Sequence, residues 1–405
     1  MAALVLLAAA VAVTDMKKIT SLSLLAAAAS MAVAEDKISL QNLQYEESDQ
    51  RIKVDDWVLS AELNPDVDNQ ITVNAGLDTI SGASPAWQPR VALERPDNLA
   101  DVNAVAASPV YGYDPAGYDV VNVPVPDEHR RSFGLGWLTR DKQRNELFVG
   151  ADYSSEPDYI SRAVSASYLW FTDASKNTSL TIGSSLQSNR SLVFNEFFDT
   201  HWEDLTAFNL ELGISQVVSP RSVLSANVFA LRDSGYLTNH YQTILRLADI
   251  NDDGVFETLL AAEHRPDLRR AAGTSLKWMM QWQSYYATHT GYRFYYDDWG
   301  IQSHTLDFKQ YLTVMDELTL SLVWRYYDQT EADFYKDPDS QRPEFALGGF
   351  GSSDHRMGEF SAQTFELGAA YDVTQGITLN AQVGDYDHST DFSASWVAVG
   401  ITFKR

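Results

Sequence analysis

From about residue 38 onward, apolar and polar residues alternate one by one through segments of about ten to fourteen residues, each closed by turn chemistry. A period of two puts successive side chains on opposite faces, so the pattern predicts strands rather than helices. Leu318, Leu320, Leu322, Trp324 and Tyr326 share one face, against Glu317, Thr319, Ser321, Arg325 and Tyr327, with Val323 the apolar exception on the wet side. Ile377, Leu379, Ala381 and Val383 repeat this against Thr378, Asn380 and Gln382. Leu276, Trp278, Met280 and Trp282 oppose Ser275, Lys277, Gln281 and Gln283, and Met279 turns inward. Leu147, Val149, Ala151 and Tyr153 oppose Glu146, Gly150 and Asp152. Strands of a soluble sandwich run about five or six residues. These run about twice that, the length a tilted membrane-crossing strand needs. Aromatic residues gather near segment ends, as at Tyr285, Tyr286, Phe294, Tyr295, Tyr296, Trp299, Tyr326 and Tyr327, which fits girdles at two interfaces. The expected fold is all-β: a transmembrane antiparallel up-and-down β-barrel with long extracellular loops.

Connections alternate between short and long. Tight turns at Asn64 to Asn69, Asp141 to Arg144, Asp173 to Asn177, Val218 to Arg221, Val314 to Glu317 and Val373 to Gly376 are assigned to the periplasmic side. Long connections at roughly 81–129, 233–270 and 331–358 face outward. Fifteen segments alternate convincingly, and even parity requires one more strand, which Ile38 to Tyr45 supplies, giving about 16. The last strand carries Val397, Val399, Ile401 and Phe403 on one face and resembles the signal read by the barrel-assembly machinery, an expected partner alongside outer-membrane lipid.

Composition narrows the class. Aromatic residues make up 12% and charged residues 21%, too polar for helical spans and too apolar for disorder. The absence of cysteine excludes disulfides, Cys-ligated zinc and iron–sulfur clusters. A net charge of -25 argues against a nucleic-acid partner, which needs clustered Lys and Arg, and favours cations. From Met16, two lysines, an apolar stretch from Ile19 to Met31 and Ala32-Val33-Ala34 form an export signal with an Ala-x-Ala cleavage site before Glu35. The leader is therefore 1–34, with the signal proper at 16–34 and an upstream start set too early, and 35–405 is one outer-membrane barrel domain.

The runs Tyr45 to Val54, Leu77 to Pro85 and Asp127-Glu128-His129-Arg130-Arg131 resemble the exported family known as domain of unknown function 3570. The resemblance implies an outer-membrane protein often encoded near thioredoxin-like, flavin-transferase and small lipoprotein genes. It thus points to a small lipoprotein or redox partner and supplies no known reaction.

The sharpest local motif is Asp249-Ile250-Asn251-Asp252-Asp253-Gly254-Val255-Phe256-Glu257. Asp249, Asn251, Asp253 and Glu257 place oxygens at every second residue around a turning glycine, a spacing that can wrap Ca2+. Position twelve is Leu260, so the bidentate glutamate is missing unless Glu257 or Glu263 substitutes, and a solvated acidic turn is the alternative. Ser81 to Pro85 opens the longest connection, either as a loop returning to the lumen or as a tight outer turn. Asp49 and Arg51, with Asp127, Arg130 and Arg131, form either a network fixing that loop or ordinary rim ion pairs. His129, His201, His240, His264, His355 and His388 fall mostly in outer loops without a ligand spacing and read as solvated. Nucleophile elbows, phosphate loops and His-Glu-x-x-His are absent, so no enzyme is expected. The leading expectation is a channel or porin-like conduit for small solutes or cations; the alternative is a barrel scaffold docking a redox or metal-handling lipoprotein or flavoprotein.

Overall fold

A computed structural model describes residues 35–89, 118–194, 200–390 and 392–405. The expected leader at 1–34 lies outside the described residues. The chain forms β1 Lys37–Glu47, β2 Ile52–Leu63, β3 Asn69–Pro89, β4 Tyr118–Arg140, β5 Glu146–Ser155 and β6 Tyr159–Phe171. There follow β7 Thr178–Phe194, β8 Thr200–Ser219, β9 Ser222–Gly235, β10 Thr243–Ala248, β11 Glu257–Ala262, β12 Leu268–Gln283 and β13 Tyr286–Asp297. The last are β14 Gln302–Met315, β15 Leu318–Gln329, β16 Phe345–Ala346, β17 Phe360–Thr374, β18 Ile377–His388 and β19 Phe392–Lys404.

Sixteen of these strands close into one antiparallel barrel, each bonded to its neighbours in sequence and β1 sealing against β19 from Lys37↔Lys404 to Glu47↔Ala394. Closure leaves no free edge, so every backbone ladder is satisfied inside the wall. The weakly alternating segment at 38–45 is β1, as strand parity requires. The remaining β10, β11 and β16 form a separate sheet in the connections.

Alternation maps onto the wall as the pattern predicts. Leu322, Leu367, Val383 and Val397 are register neighbours across β15, β17, β18 and β19. They stand outward, 37%, 60%, 49% and 51% exposed. Leu77, Phe133, Leu212, Val228 and Leu276 continue this band around the barrel. A contiguous apolar belt of this extent is not a water-facing surface, because exposed patches on soluble proteins are far smaller. Its place is hydrocarbon. Val323 and Met279 point inward and are buried.

One end carries Asp36 and Arg405, joined by reciprocal backbone bonds of 2.9 Å, and the tight turns. Two of these turns hold Arg144 and Lys176 at positive φ. Asp141 makes the first affordable by accepting from the backbone N–H of Gln143 and Asn145 at 2.8 Å, and Asp173 accepts from Thr178 N–H at 3.1 Å. The opposite, distal end carries the long connections. Here the reading of 81–129 as one loop is corrected: β3 runs on to Pro89 and β4 begins at Tyr118, pairing from Gly82↔Val125 to Pro89↔Tyr118 after a bulge at Ile80/Gly82. Ser81 to Pro85 is therefore strand: the bulge leaves only Ser81 without a register partner on β4, and Gly82 to Pro85 continue the ladder against Val125 to Asn122.

Candidate functional site: a polar lumen under a latched cap

Inward positions line the lumen with two kinds of wall. Along β6 to β9 many inward residues are small and neutral, among them Ser165, Ser167, Ser185, Asn189, Asn209 and Ser215, the last sharing a 2.7 Å hydrogen bond with Ser225, while Glu211 and Asp233 add two inward carboxylates. From β14 to β18 they are charged. Arg325 Nε donates to Asp307 Oδ1 at 2.7 Å, Gln382 donates to Glu366, and Lys309 stands nearby, 9% exposed. Arg140 pairs with Glu146 at 2.8 Å and Arg130 with Asp78, while Asp152 is open to the interior. Opposite charges held in register on neighbouring strands offset the cost of turning them inward.

Three connections meet over the distal mouth. Leu245 of β10 is fully buried against Trp87 at the tip of β3 and Tyr118 at the start of β4, and Thr243 Oγ1 donates to the Trp87 carbonyl at 3.1 Å. The connection carrying β10 leaves the wall between β9 and β12, far around the barrel from β3 and β4, so this contact bridges the opening. The connection after β15 joins it through β16, where Arg246↔Phe345 pair in parallel. Arg246 also donates to the carbonyls of Ala346 at 2.7 Å and Gly349 at 2.9 Å. Trp299, Ile301, Ala332 and Met357 form an apolar cluster beneath. Arg269 lies over the Trp299 and Tyr295 rings at 4.9 and 5.6 Å while bonding Asp297 at 2.6 Å.

The tightest contact in the cap is ionic. The Arg265 side chain is 2% exposed and binds Glu263 and Asp354, the latter at 2.8 Å, while Asp354 also takes Arg356. Burial alone would raise the Asp354 carboxyl, but Arg356 and Arg265 overcome it and hold Asp354 well below the usual carboxylate range. Backbone bonds of 3.1 and 2.8 Å between His264 and Gly351 run beside it.

The expected site residues fall at the tip of the β10–β11 hairpin. Asp249 accepts from the backbone N–H groups of Asp253 at 3.1 Å and Gly254 at 2.9 Å, and Asp253 accepts from Val255 at 2.9 Å. Asp252 and Gly254 supply the positive φ the turn needs. Asn251 lies within the turn and Glu257 opens β11. Among the described residues, the carboxylates that converge within ligand distance are instead Glu128, Glu156 and Asp158, on β4 and the β5–β6 turn. Sequence spacing offered no signal for Glu128 and only the local Glu156-Pro157-Asp158 for the rest.

Of the two alternatives for the charges at Asp49 to Arg131, the described residues show separate contacts rather than one network: Arg51 stacks over Phe392 at 5.1 Å, Arg130 turns inward to Asp78, and Arg131 faces out. Strand alternation separates the last two. One further reading is corrected: His240, His355 and His388 are not solvated. His240 packs on Tyr241, with centroids 4.2 Å apart, and His388 is 8% exposed, stacked on Phe360 at 4.1 Å and facing His355 at 6.1 Å. Burial pushes His240 and His355 down to about 4.

A closed barrel with an apolar outer belt, a polar interior and loops folded across one mouth is a membrane-spanning β-barrel. The chain belongs to the family described as protein of unknown function (DUF3570), whose model matches residues 1–399. No curated protein matches it. Among solved structures it is similar to CdiB from Acinetobacter baumannii, with 7% identity and a TM-score of 0.48, covering 92% of this chain and 61% of that one. It is also similar to the ferric enterobactin receptor of Pseudomonas aeruginosa, with 10% identity, a TM-score of 0.43 and coverage of 89% and 55%. The Pseudomonas putida toluene transporter TodX follows, with 11% identity, a TM-score of 0.39 and coverage of 92% and 90%. The chain thus spans 61% and 55% of the first two.

Proposed function

We propose that this protein is an outer-membrane conduit for small solutes or cations, with its termini in the periplasm and its capped mouth outside. The observation that carries this reading is the division of the wall. One face of the wall strands is largely apolar and turned to lipid, while the lumenal face carries hydroxyls, amides and paired charges that support an aqueous interior. A barrel of about this size holds a channel unless its loops fill it. Here the loops cross the distal mouth and contact one another, so passage is gated by the cap. Asp152 and the acidic loops add negative charge, and the conduit prefers cations. Calcium at Asp249, Asn251, Asp253 and Glu257 belongs to the same reading, as a stabiliser of the hairpin tip.

Single-channel conductance of the purified protein in planar bilayers tests it. Cation-selective steps that lengthen when the cap is loosened are expected. A barrel that stays silent in both capped and loosened forms overturns the conduit and shifts the assignment to a scaffold for a lipoprotein or flavoprotein.

A further inference from the structure

Glu128 points inward from the distal part of β4, beside the turn that joins β5 to β6. That turn is Glu156-Pro157-Asp158, and its backbone is pinned on both sides: Glu156 N–H donates to the Tyr159 carbonyl at 2.7 Å, and the Asp158 carbonyl accepts from Leu192 N–H at 2.7 Å. Glu156 and Asp158 are thereby presented together toward Glu128. One carboxylate oxygen from each of the three lies within 4.8 Å of the others.

These oxygens lack what buried carboxylates need. The Glu156 side chain is 2% exposed, yet its Oε1 accepts no hydrogen bond, and Glu128 Oε2 and Asp158 Oδ1 are likewise buried without a donor. The nearest guanidinium nitrogen, Arg130 Nε, is 4.0 Å from Glu156 Oε1, beyond hydrogen-bond reach, and that guanidinium is taken by Asp78. Three carboxyl groups so placed repel one another when ionised, and burial with this repulsion pushes the Glu156 carboxyl up to about 7; a cation entering among them relieves the repulsion and lets all three ionise.

We infer that Glu128, Glu156 and Asp158 form a binding site for a hard divalent cation of calcium or manganese size at the distal rim. Purely carboxylate ligands select hard cations over copper or zinc. Opposite oxygens around an ion bound at about 2.3–2.6 Å stand up to about 5 Å apart, so three oxygens that all lie within 4.8 Å of one another can share one such ion. The second oxygen of Asp158 receives the hydroxyl of Tyr241, which belongs to the connection that carries β10. The cation therefore sits where the rim meets the cap, and fixing Asp158 also fixes Tyr241. This inference does not depend on conductance.

The test is titration calorimetry of the full chain in detergent, stripped with chelator and then given Ca2+, with Mn2+ and its electron-spin resonance signal as a second probe. Wild type should bind one ion in addition to any held by the hairpin tip. Glu156→Gln and Asp158→Asn should each weaken that ion at least tenfold, with barrel content unchanged by circular dichroism. Asp253→Ala should leave it intact. The inference is overturned if the wild type shows no saturable binding, or if all binding persists in Glu156→Gln and Asp158→Asn. Loss of all binding in Asp253→Ala alone also overturns it, assigning the ion to the hairpin tip.

Discussion

Arg265 and Asp354 lie 89 residues apart in sequence and meet at 2.8 Å in the cap, both almost wholly buried. They tie the connection between β9 and β12 to the one between β15 and β17. Breaking a buried pair by removing one partner leaves an uncompensated charge and costs about 3–5 kcal/mol. Arg265→Ala should therefore raise hydrogen exchange in 236–267 and 330–359 at least tenfold while the strands of the wall keep their protection. Unchanged exchange in both segments would show that the ion pair does not hold the cap closed.

Acid should open the same cap. The imidazoles of His240 and His355 titrate near about 6.5 when exposed. In the closed cap burial holds both down to about 4, against the pull of Asp158 on the first and Asp354 on the second. The closed form thus binds fewer protons between these values, so closure is fully favoured above about 6.5 and weakens as the pH falls toward about 4. Because the His355 side chain is 31% exposed, solvent screens part of the effect, and roughly a tenfold shift toward opening per histidine is expected rather than the full shift. Histidine proton NMR titration reads the two values directly. If both imidazoles titrate near 6.5 in the closed protein, the burial argument fails.

The barrel itself was legible because a period of two is a local property that each strand carries alone. Val323 and Met279 could be placed inward, and β1 recovered from parity, before any pairing was known. The cap was not legible. Arg265, Asp354, Trp87 and Leu245 come from connections without periodicity, and their meeting depends on which sectors of the wall the chain has already closed. The same holds for Glu128, which joins Glu156 and Asp158 only once β4 and β5 pair. The Asp249 turn stood out in sequence because its ligand spacing is local, and its hydrogen bonds are local too.

The outer belt gives a quantitative check of the lipid assignment. Leu367 is 60% exposed at the middle of β17, flanked by Leu322 and Val383. Leu367→Arg should cost about 2–4 kcal/mol in reversible folding into lipid vesicles, the penalty for a cation at the bilayer midplane. Gln187→Arg puts the same charge on the lumenal face of β7 and should change folding by less than about 1 kcal/mol. Equal penalties at the two positions would contradict the two-faced wall.

Gly384 and Trp396 set the bore on the side where β18 meets β19. They are register partners, and the indole lies directly over the glycine, so that a Cβ at Gly384 would fall about 2.1 Å from Trp396 Cε2. The ring also stacks with Tyr45 of β1, 6.5 Å between centroids at 28°, which braces it along the wall across the closing seam. Because Trp396 is 9% exposed and the neighbouring strands are bonded on both sides, neither backbone can withdraw to make room. Gly384→Val must therefore lift the indole off the wall and toward the lumen. Overpacking of this kind costs about 1–3 kcal/mol, which urea unfolding from detergent or vesicles would register. The displaced ring should also lower single-channel conductance, and Gly384→Val combined with Trp396→Ala should restore both stability and conductance toward wild type. If the single variant unfolds and conducts as wild type does, the indole is not seated on Gly384 and the bore is set elsewhere.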